Sequence, residues 1–186
     1  MISDLRKLVN QCLGGDQQAM FDLVERFKGQ VFGLCYRMLG QRQDAEDVAQ
    51  ETFVRVLKNL HRWDQGRDFE PWLLAIAGNR CRTALASRQR RPTAQLIPDP
   101  ATDDSMQAQQ ADQLAEEIQL ALSTIRPEYR HAFVLFHEQE LSYEQIAESL
   151  SRPLGTIKTW IHRARLELIE FLAARDVIQE ASHAVR

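Results

Sequence analysis

Residues 141–168, LSYEQIAESLSRPLGTIKTWIHRARLEL, decide the fold of the C-terminal half. Ser142 followed three residues later by Gln145 is the pattern of a capping box, in which each side chain satisfies the other's backbone N–H at a helix start. Ile146, Ala147 and Leu150 give the short helix an apolar side, and Ser151, Arg152 and Pro153 break it. A second helix then carries Leu154, Ile157, Ile161, Leu168 and Ile169 at helical spacing. Two such helices, with the small Ala147 where they cross, describe a helix-turn-helix. The apolar Ile146, Leu150, Ile157 and Ile161 would fix the crossing, so that the second helix aims its first turns at a major groove. Thr156, Lys158, Thr159 and Trp160 are then placed to touch base edges or phosphates, and His162, Arg163 and Arg165 to grip the backbone further along. A helical hairpin with a solvated basic face has the same periodicity. The cap, the small crossing residue, the break and an acid-free run from Thr156 to Leu166 coincide here, which favours DNA binding. Trp160 keeps two readings: contact with a thymine methyl, or packing on the neighbouring helix.

Upstream within the same half, Leu114, Ile118 and Leu122 mark one helix, and Pro127 opens another that turns Ala132, Phe133, Leu135 and Phe136 inward. The N-terminal half is helical throughout. A short first helix holds Leu5, Leu8, Val9 and Cys12. Asp16 can cap a longer one whose buried side carries Phe21, Val24, Phe27, Val31, Leu34, Cys35 and Met38, with Gly40 as its stop. Ala45, Val48, Ala49, Thr52, Phe53, Val56, Leu57 and Leu60 stripe a third, with Asp44 as its expected N-cap. A fourth starts at Pro71 and runs toward Arg88. No alternating strand pattern appears. The expectation is an all-α protein of two small helical domains, 1–91 and 113–172, joined by a flexible acidic linker at 92–112 and followed by a tail at 173–186.

The net charge of −3 at first argues against a nucleic-acid partner. The charge is segregated, however. From Pro92 to Ile125 there is no Lys or Arg but six acids: Asp99, Asp103, Asp104, Asp112, Glu116 and Glu117. Arg80, Arg82, Arg88, Arg90 and Arg91 follow one another with no acid between them, as do Lys158, Arg163 and Arg165. Two basic surfaces separated by an acidic connector are the implied arrangement, although a connector of this kind can also be a plain spacer. The 186 residues, 44% hydrophobic and 26% charged, are those of a globular chain. No apolar run approaches the roughly 18 residues of a membrane span. The start, MISDLRKLVNQCLGGD, looks like a surface helix and not a signal peptide, so a cytoplasmic location without membrane insertion is expected. Cys12, Cys35 and Cys81 lack metal-ligand spacing and are expected as free thiols, Cys12 and Cys35 buried among apolar neighbours. No metal or cofactor is expected.

At this point the residues resemble a family. GTIKTWIHRAR after LSYEQIAESL resembles the −35-reading domain of bacterial sigma factors of the extracytoplasmic-function (ECF) group, within the sigma-70 family. GDQQAMFDLVERFKGQVFGLCYRMLG (15–40) is similar to the first conserved block of the other domain of that group. DAEDVAQETFVRVLKNL (44–60) is similar to its polymerase-docking helix, and FEPWLLAIAGNRCRTALASRQRR (69–91) to its −10-reading helix. The resemblance covers almost the whole chain. It implies that Asp44, Asp47, Gln50 and Glu51 contact core RNA polymerase, where spacing alone would favour a merely solvated face. It also implies that Asn79 meets a −10 base edge while Arg80 and Arg82 hold phosphates, and that a dedicated anti-sigma factor restrains the protein. The loop HRWDQGRDFEPW (61–72) sets Trp63, Phe69 and Trp72 among His61, Arg62 and Arg67. The family captures a flipped base there, which makes Trp63 and Phe69 candidates for promoter melting, whereas Trp72 suits a core anchor. Thr83 stands where the family commonly has aspartate, Ala86 and Ser87 where arginines are frequent, and Trp160 where arginine is common, so the promoter sequence is left open.

A stand-alone regulator would explain the helix-turn-helix but not DAEDVAQETFVRVL or the aromatic loop. Co-purification with core polymerase separates the two readings. An enzyme is disfavoured: His61, His131, His137, His162 and His183 show no HExxH spacing, and GxSxG and P-loop motifs are missing. The implied mechanism is that the free chain binds DNA weakly, its basic faces misaligned or masked. Core polymerase would set their separation so that both promoter elements are gripped together.

Overall fold

The computed structural model describes residues 2–90, 106–175 and 177. Among them every regular element is helical: α1 (Ile2–Leu13), α2 (Gln17–Leu39), α3 (Arg42–Lys58), a single 3₁₀ turn (Leu60–Arg62), α4 (Phe69–Arg90), α5 (Met106–Thr124), α6 (Pro127–His137), α7 (Tyr143–Ser149) and α8 (Leu154–Ala174). The all-α expectation holds. Residues 92–105 of the expected linker, and the tail past 177, lie outside the described residues. α5 already begins at Met106, inside the stretch read as linker.

Local chemistry explains several helix ends. Asp16 caps α2, its Oδ1 accepting the Ala19 N–H at 3.1 Å. Gly40 closes the same helix at φ 76°, a left-handed conformation that glycine adopts without a Cβ penalty, and returns its N–H to the Tyr36 carbonyl at 2.8 Å. The capping box at α7 is present in both directions: Gln145 N–H to Ser142 Oγ at 3.1 Å, Ser142 N–H to Gln145 Oε1 at 2.9 Å. Pro127 takes the N1 position of α6. Two starts differ from expectation. Gln41, not Asp44, is the N-cap of α3, which places Asp44 within the first turn, paired with Arg88. α4 begins at Phe69, so Pro71 falls inside its first turn, where its missing N–H has no intrahelical partner to lose.

The inner stripe of α2 is Ala19, Leu23, Phe27, Val31, Leu34, Cys35 and Met38. Phe21 was expected on that side but is 59% exposed. It lies two residues, about 200°, from Leu23 on a helix of 3.6 residues per turn. Leu114 is likewise on the outside of α5, Leu154 and Ile169 are exposed on α8, and Val24, Phe133 and Phe136 are half-buried. At the centre of the N-terminal domain stands Phe69, its ring 5.3 Å from Phe27, 5.2 Å from Trp63 and 5.5 Å from Trp72. Thr52, fully buried on α3, donates its hydroxyl to the Val48 carbonyl at 2.7 Å and so carries no unsatisfied group inward.

The two domains pack on each other. α2 meets α5 and α6, while α4 meets α6 and α7. One continuous core runs from Val9 and Leu23 through Leu74 and Cys81 to Ala132, Leu135, Ile146 and Ile161, with a smaller cluster of Ala121, Leu122, Ile125, Ala164 and Leu168 between α5 and α8. Arg130, buried at the interface, donates to the Met38 carbonyl of α2 and to the carbonyls of Ser123 and Ile125 at 2.7 and 3.1 Å. Burial lowers its pKa to about 10, which leaves it charged at neutral pH. His131, fully buried beside it, has no hydrogen-bond partner on either ring nitrogen.

Two consequences are measurable. Phe69→Ala removes the ring that three other aromatics contact and should cost ~3–5 kcal/mol of stability, read by urea unfolding followed through the helical signal. Burial, reinforced by the Arg82 guanidinium, pushes the His131 imidazole down to about 3. Below its ordinary 6.5 the unfolded chain binds a proton that the folded one refuses. His131 therefore contributes full stability above about pH 6.5 and progressively less as pH falls toward about 3. The melting temperature should drop between pH 7.5 and 5.5, and His131→Leu should flatten that drop.

Candidate functional site: three polar faces

The first face is the outer side of α3. Asp47, Gln50 and Glu51 are exposed on successive turns, and with Val54, Arg55, Lys58, Asn59 and Arg80 they line an open groove of about 700 Å³. Val54, 53% exposed among these polar groups, is the apolar contact that periodicity alone passed over. Its signal was an apolar residue out of phase with the buried stripe Phe53–Val56. Asp44 does not join this face. It is drawn toward α4 by Arg88, which also donates to the Leu39 carbonyl and Gln41 Oε1, both at 3.3 Å. Burial lowers the Arg88 pKa.

The second face combines α4 with the loop before it. Asn79 is exposed; Arg82 donates to its Oδ1, and Thr83 donates to its carbonyl at 3.0 Å. Arg80 pairs with Glu51 across to α3, so an expected phosphate contact and an expected polymerase contact satisfy each other. In the loop, His61, Arg62 and residues 64–68 are exposed. Trp63 and Phe69 are not: they are 7% and 2% exposed, packed edge to face. Neither offers a ring face to a base. Sequence order put them in a loop, but their faces belong to the core, and the Trp63 indole N–H is buried without a partner. Trp72, half-buried against Phe69, is the anchor expected of it.

The third face is the start of α8. Lys158, Thr159, His162, Arg163 and Arg165 are exposed and Thr156 is half-buried. Between α7 and α8 the break is sharp, with Ser151 at φ 52°. Ile146, Ile157 and Ile161 are buried as expected, whereas Ala147 and Leu150 are half-buried. Trp160 resolves toward packing: its ring lies 6.1 Å from Tyr129 of α6, and the Arg152 guanidinium sits over it at 6.0 Å. Arg152 thereby joins the basic surface from the turn, a residue noted only as part of the break. Lys158 Nζ lies 5.8 Å from the Tyr143 ring centre, and Arg165 approaches His137 Nε2 at 3.4 Å. Burial first, then Arg165, lowers the His137 pKa.

The loop of the second face is tied to α7, the helix that precedes the third. Arg67 pairs with Glu148 of α7 at 2.9 Å, and Gln145 Nε2 donates to Asp68 Oδ2 at 2.9 Å. Among the described residues no group of three or more His, Cys, Asp or Glu is arranged to hold a metal ion. Cys12, Cys35 and Cys81 are free and buried. No described helix is long and apolar enough to cross a membrane.

Comparison with known proteins matches this geometry region by region. Sigma-70 region 2 matches residues 23–91 and Sigma-70, region 4 matches residues 115–168. The chain is 35% identical over 175 residues to the ECF RNA polymerase sigma factor SigW of Bacillus subtilis, covering 87% of this chain and 92% of that one. It is 38% identical over 168 residues to the ECF RNA polymerase sigma factor SigE of Mycolicibacterium smegmatis, covering 86% and 65%. Among solved structures it resembles CnrH in complex with the cytosolic domain of CnrY, with a TM-score of 0.67 at 25% identity over 91% of this chain and 97% of that one. Its fold also matches, with a TM-score of 0.67 at 22% identity, the sigma factor RpoE bound to the anti-sigma factor NepR from Bartonella quintana, over 81% and 94% of the two chains. Two sigma regions in order, each on the helices that carry its exposed face, establish that the chain belongs to the ECF group of the sigma-70 family.

Proposed function

We propose that this ECF sigma factor docks on core RNA polymerase through the α3 face, reads the −10 element with α4 and reads the −35 element with α8. The observation that carries the division of labour is the exposure pattern. Asp47, Gln50, Glu51 and Val54 form a mixed acidic and apolar patch suited to a protein partner. Lys158, Thr159, His162, Arg163 and Arg165 form an acid-free helix face suited to a major groove. Asn79 offers an amide for one base edge, flanked by Arg80 and Arg82. Asp44 is better used in positioning α3, since Arg88 holds it. Trp63 and Phe69 are assigned to the core, which leaves strand capture to the exposed part of the loop, His61 to Asp68. Control by an anti-sigma factor is supported by the RpoE–NepR likeness, and activity in the cytoplasm follows from the polymerase partner.

In vitro transcription with core polymerase on a promoter library tests the whole reading; no promoter-dependent RNA would refute it. Asp47→Lys combined with Glu51→Lys should weaken core binding at least roughly tenfold, ~1.4 kcal/mol, in a competition assay. Arg163→Ala should weaken −35 duplex binding for all sequences and lower the salt slope by about 1. Asn79→Ala should cost ~1–3 kcal/mol at one −10 position and leave −35 duplex binding unchanged. Uniform loss on every promoter would count against that residue's role.

A further inference from the structure

Two exposed cations of the helix-turn-helix rest on aromatic rings, and both rings are backed by α6. Tyr129 and Phe136 lie seven residues apart, close to two turns, and so share one side of that helix. Phe136 stacks on Tyr143 of α7 at 4.5 Å, and Lys158 Nζ lies 5.8 Å from the Tyr143 ring centre. Tyr129 lies 6.1 Å from Trp160 of α8, and the Arg152 guanidinium is 6.0 Å from the Trp160 ring centre. The backbone under Arg152 is fixed as well. Ser151 stands left-handed at φ 52°; its N–H bonds the Glu148 carbonyl at 3.1 Å, and the Arg152 N–H bonds the Ala147 carbonyl at 2.9 Å. Those two bonds form a Schellman motif at the end of α7, with Ser151 where glycine is usual and Arg152 next after it. The place after the left-handed residue often packs an apolar side chain back on the helix; here it holds an exposed arginine.

We propose that Arg152 is a phosphate contact of the −35 duplex, and that Trp160 is the residue that positions it. This role presupposes the −35 reading of α8 proposed above and adds to it a residue outside that helix. Thr156, Trp160 and Arg163 follow one stripe of α8 at steps of four and three residues. A guanidinium over the middle of that stripe stands on the side assigned to DNA. Its charge is available: Arg37, Arg67, Arg80 and Arg88 each pair with a carboxylate, whereas Arg152 has no carboxylate partner among the described residues. Resting on a ring that is itself held by Tyr129, the side chain has less freedom left to lose when DNA arrives. The face of a guanidinium can lie on an indole while its N–H edge stays free for phosphate oxygens.

The test uses the full chain assembled with core polymerase and promoter DNA of two lengths, one carrying the −35 duplex and one cut off downstream of it. Affinity is read by fluorescence anisotropy over a range of salt. At a slope of about 0.9 per contact, one phosphate is worth roughly eightfold between about 1 M and about 0.1 M salt. Arg152→Ala should bind the longer DNA roughly eightfold more weakly at about 0.1 M, with a salt slope lower by about 1, and bind the shorter DNA like wild type. Arg152→Lys should keep the slope, and Trp160→Phe should stay within about twofold of wild type. Trp160→Ala should reproduce most of the Arg152→Ala loss, yet cost less than about twofold more in a chain that already carries Arg152→Ala. A ring that merely holds the fold would weaken binding equally with and without Arg152, which would overturn the positioning role. Replacing each thymine of the −35 duplex by uracil should leave wild-type affinity unchanged; a loss that Trp160→Ala abolishes would make Trp160 a base contact and overturn its assignment. An unchanged slope in Arg152→Ala beside a lowered one in Arg163→Ala would overturn the phosphate contact alone. A wild type indifferent to the −35 duplex would overturn it together with the −35 reading.

Discussion

The last four carbonyls of α2 have no partner inside their own helix, and the way they are satisfied organises the molecule. Gly40 returns its N–H to Tyr36; Gln119 of α5 donates to Tyr36 and Arg37; Arg130 of α6 donates to Met38; Arg88 of α4 donates to Leu39. Three other helices therefore converge on one helix end, two of them from the second domain. The negative end of the helix dipole favours both guanidinium groups at that place. Because Arg130 is buried, its charge is tolerable only while these carbonyls surround it. Domain packing and the ending of α2 are consequently one event.

Several of the polar groups proposed to meet external partners are paired within the chain. Glu51 holds Arg80, Asn79 holds Arg82, and Glu148 holds Arg67. Exposed pairs of this kind contribute little net stability, typically 0–1 kcal/mol. Contacts of the kind proposed for them would replace these pairs at small cost. What resists exchange is the apolar continuity beneath them, from Leu74 and Cys81 to Ala132 and Leu135. The same surfaces are thus available in chemistry and constrained in geometry.

Aromatic side chains show how a motif-based reading and a packing-based one diverge. Trp63 and Phe69 flank a loop rich in charge, which suggested stacking platforms. Phe69 instead contacts Phe27, Trp63 and Trp72 at once, and a ring with three aromatic neighbours is a core element. Trp160, half-buried on α8, likewise lies beside a ring of the neighbouring helix, Tyr129, and under the Arg152 guanidinium. A linear pattern records which residues are near the loop; it does not record which way their rings turn.

Helix number and type, the Asp16, Gly40 and Ser142–Gln145 ends, the buried stripes of α2 and α3, and the basic face of α8 were all determined by the amino-acid order. Each is set by interactions within about four residues, which the 3.6-residue period makes legible. Only the tertiary structure decided that Asp44 serves Arg88, that Phe21 and Val54 face outward while Trp63 and Phe69 face inward, and that the domains close on one another. Those outcomes depend on contacts between residues far apart in the chain, such as Gly78 with His131 and Met38 with Arg130. Their partners are chosen by the packing of whole helices, for which a one-dimensional pattern carries no record.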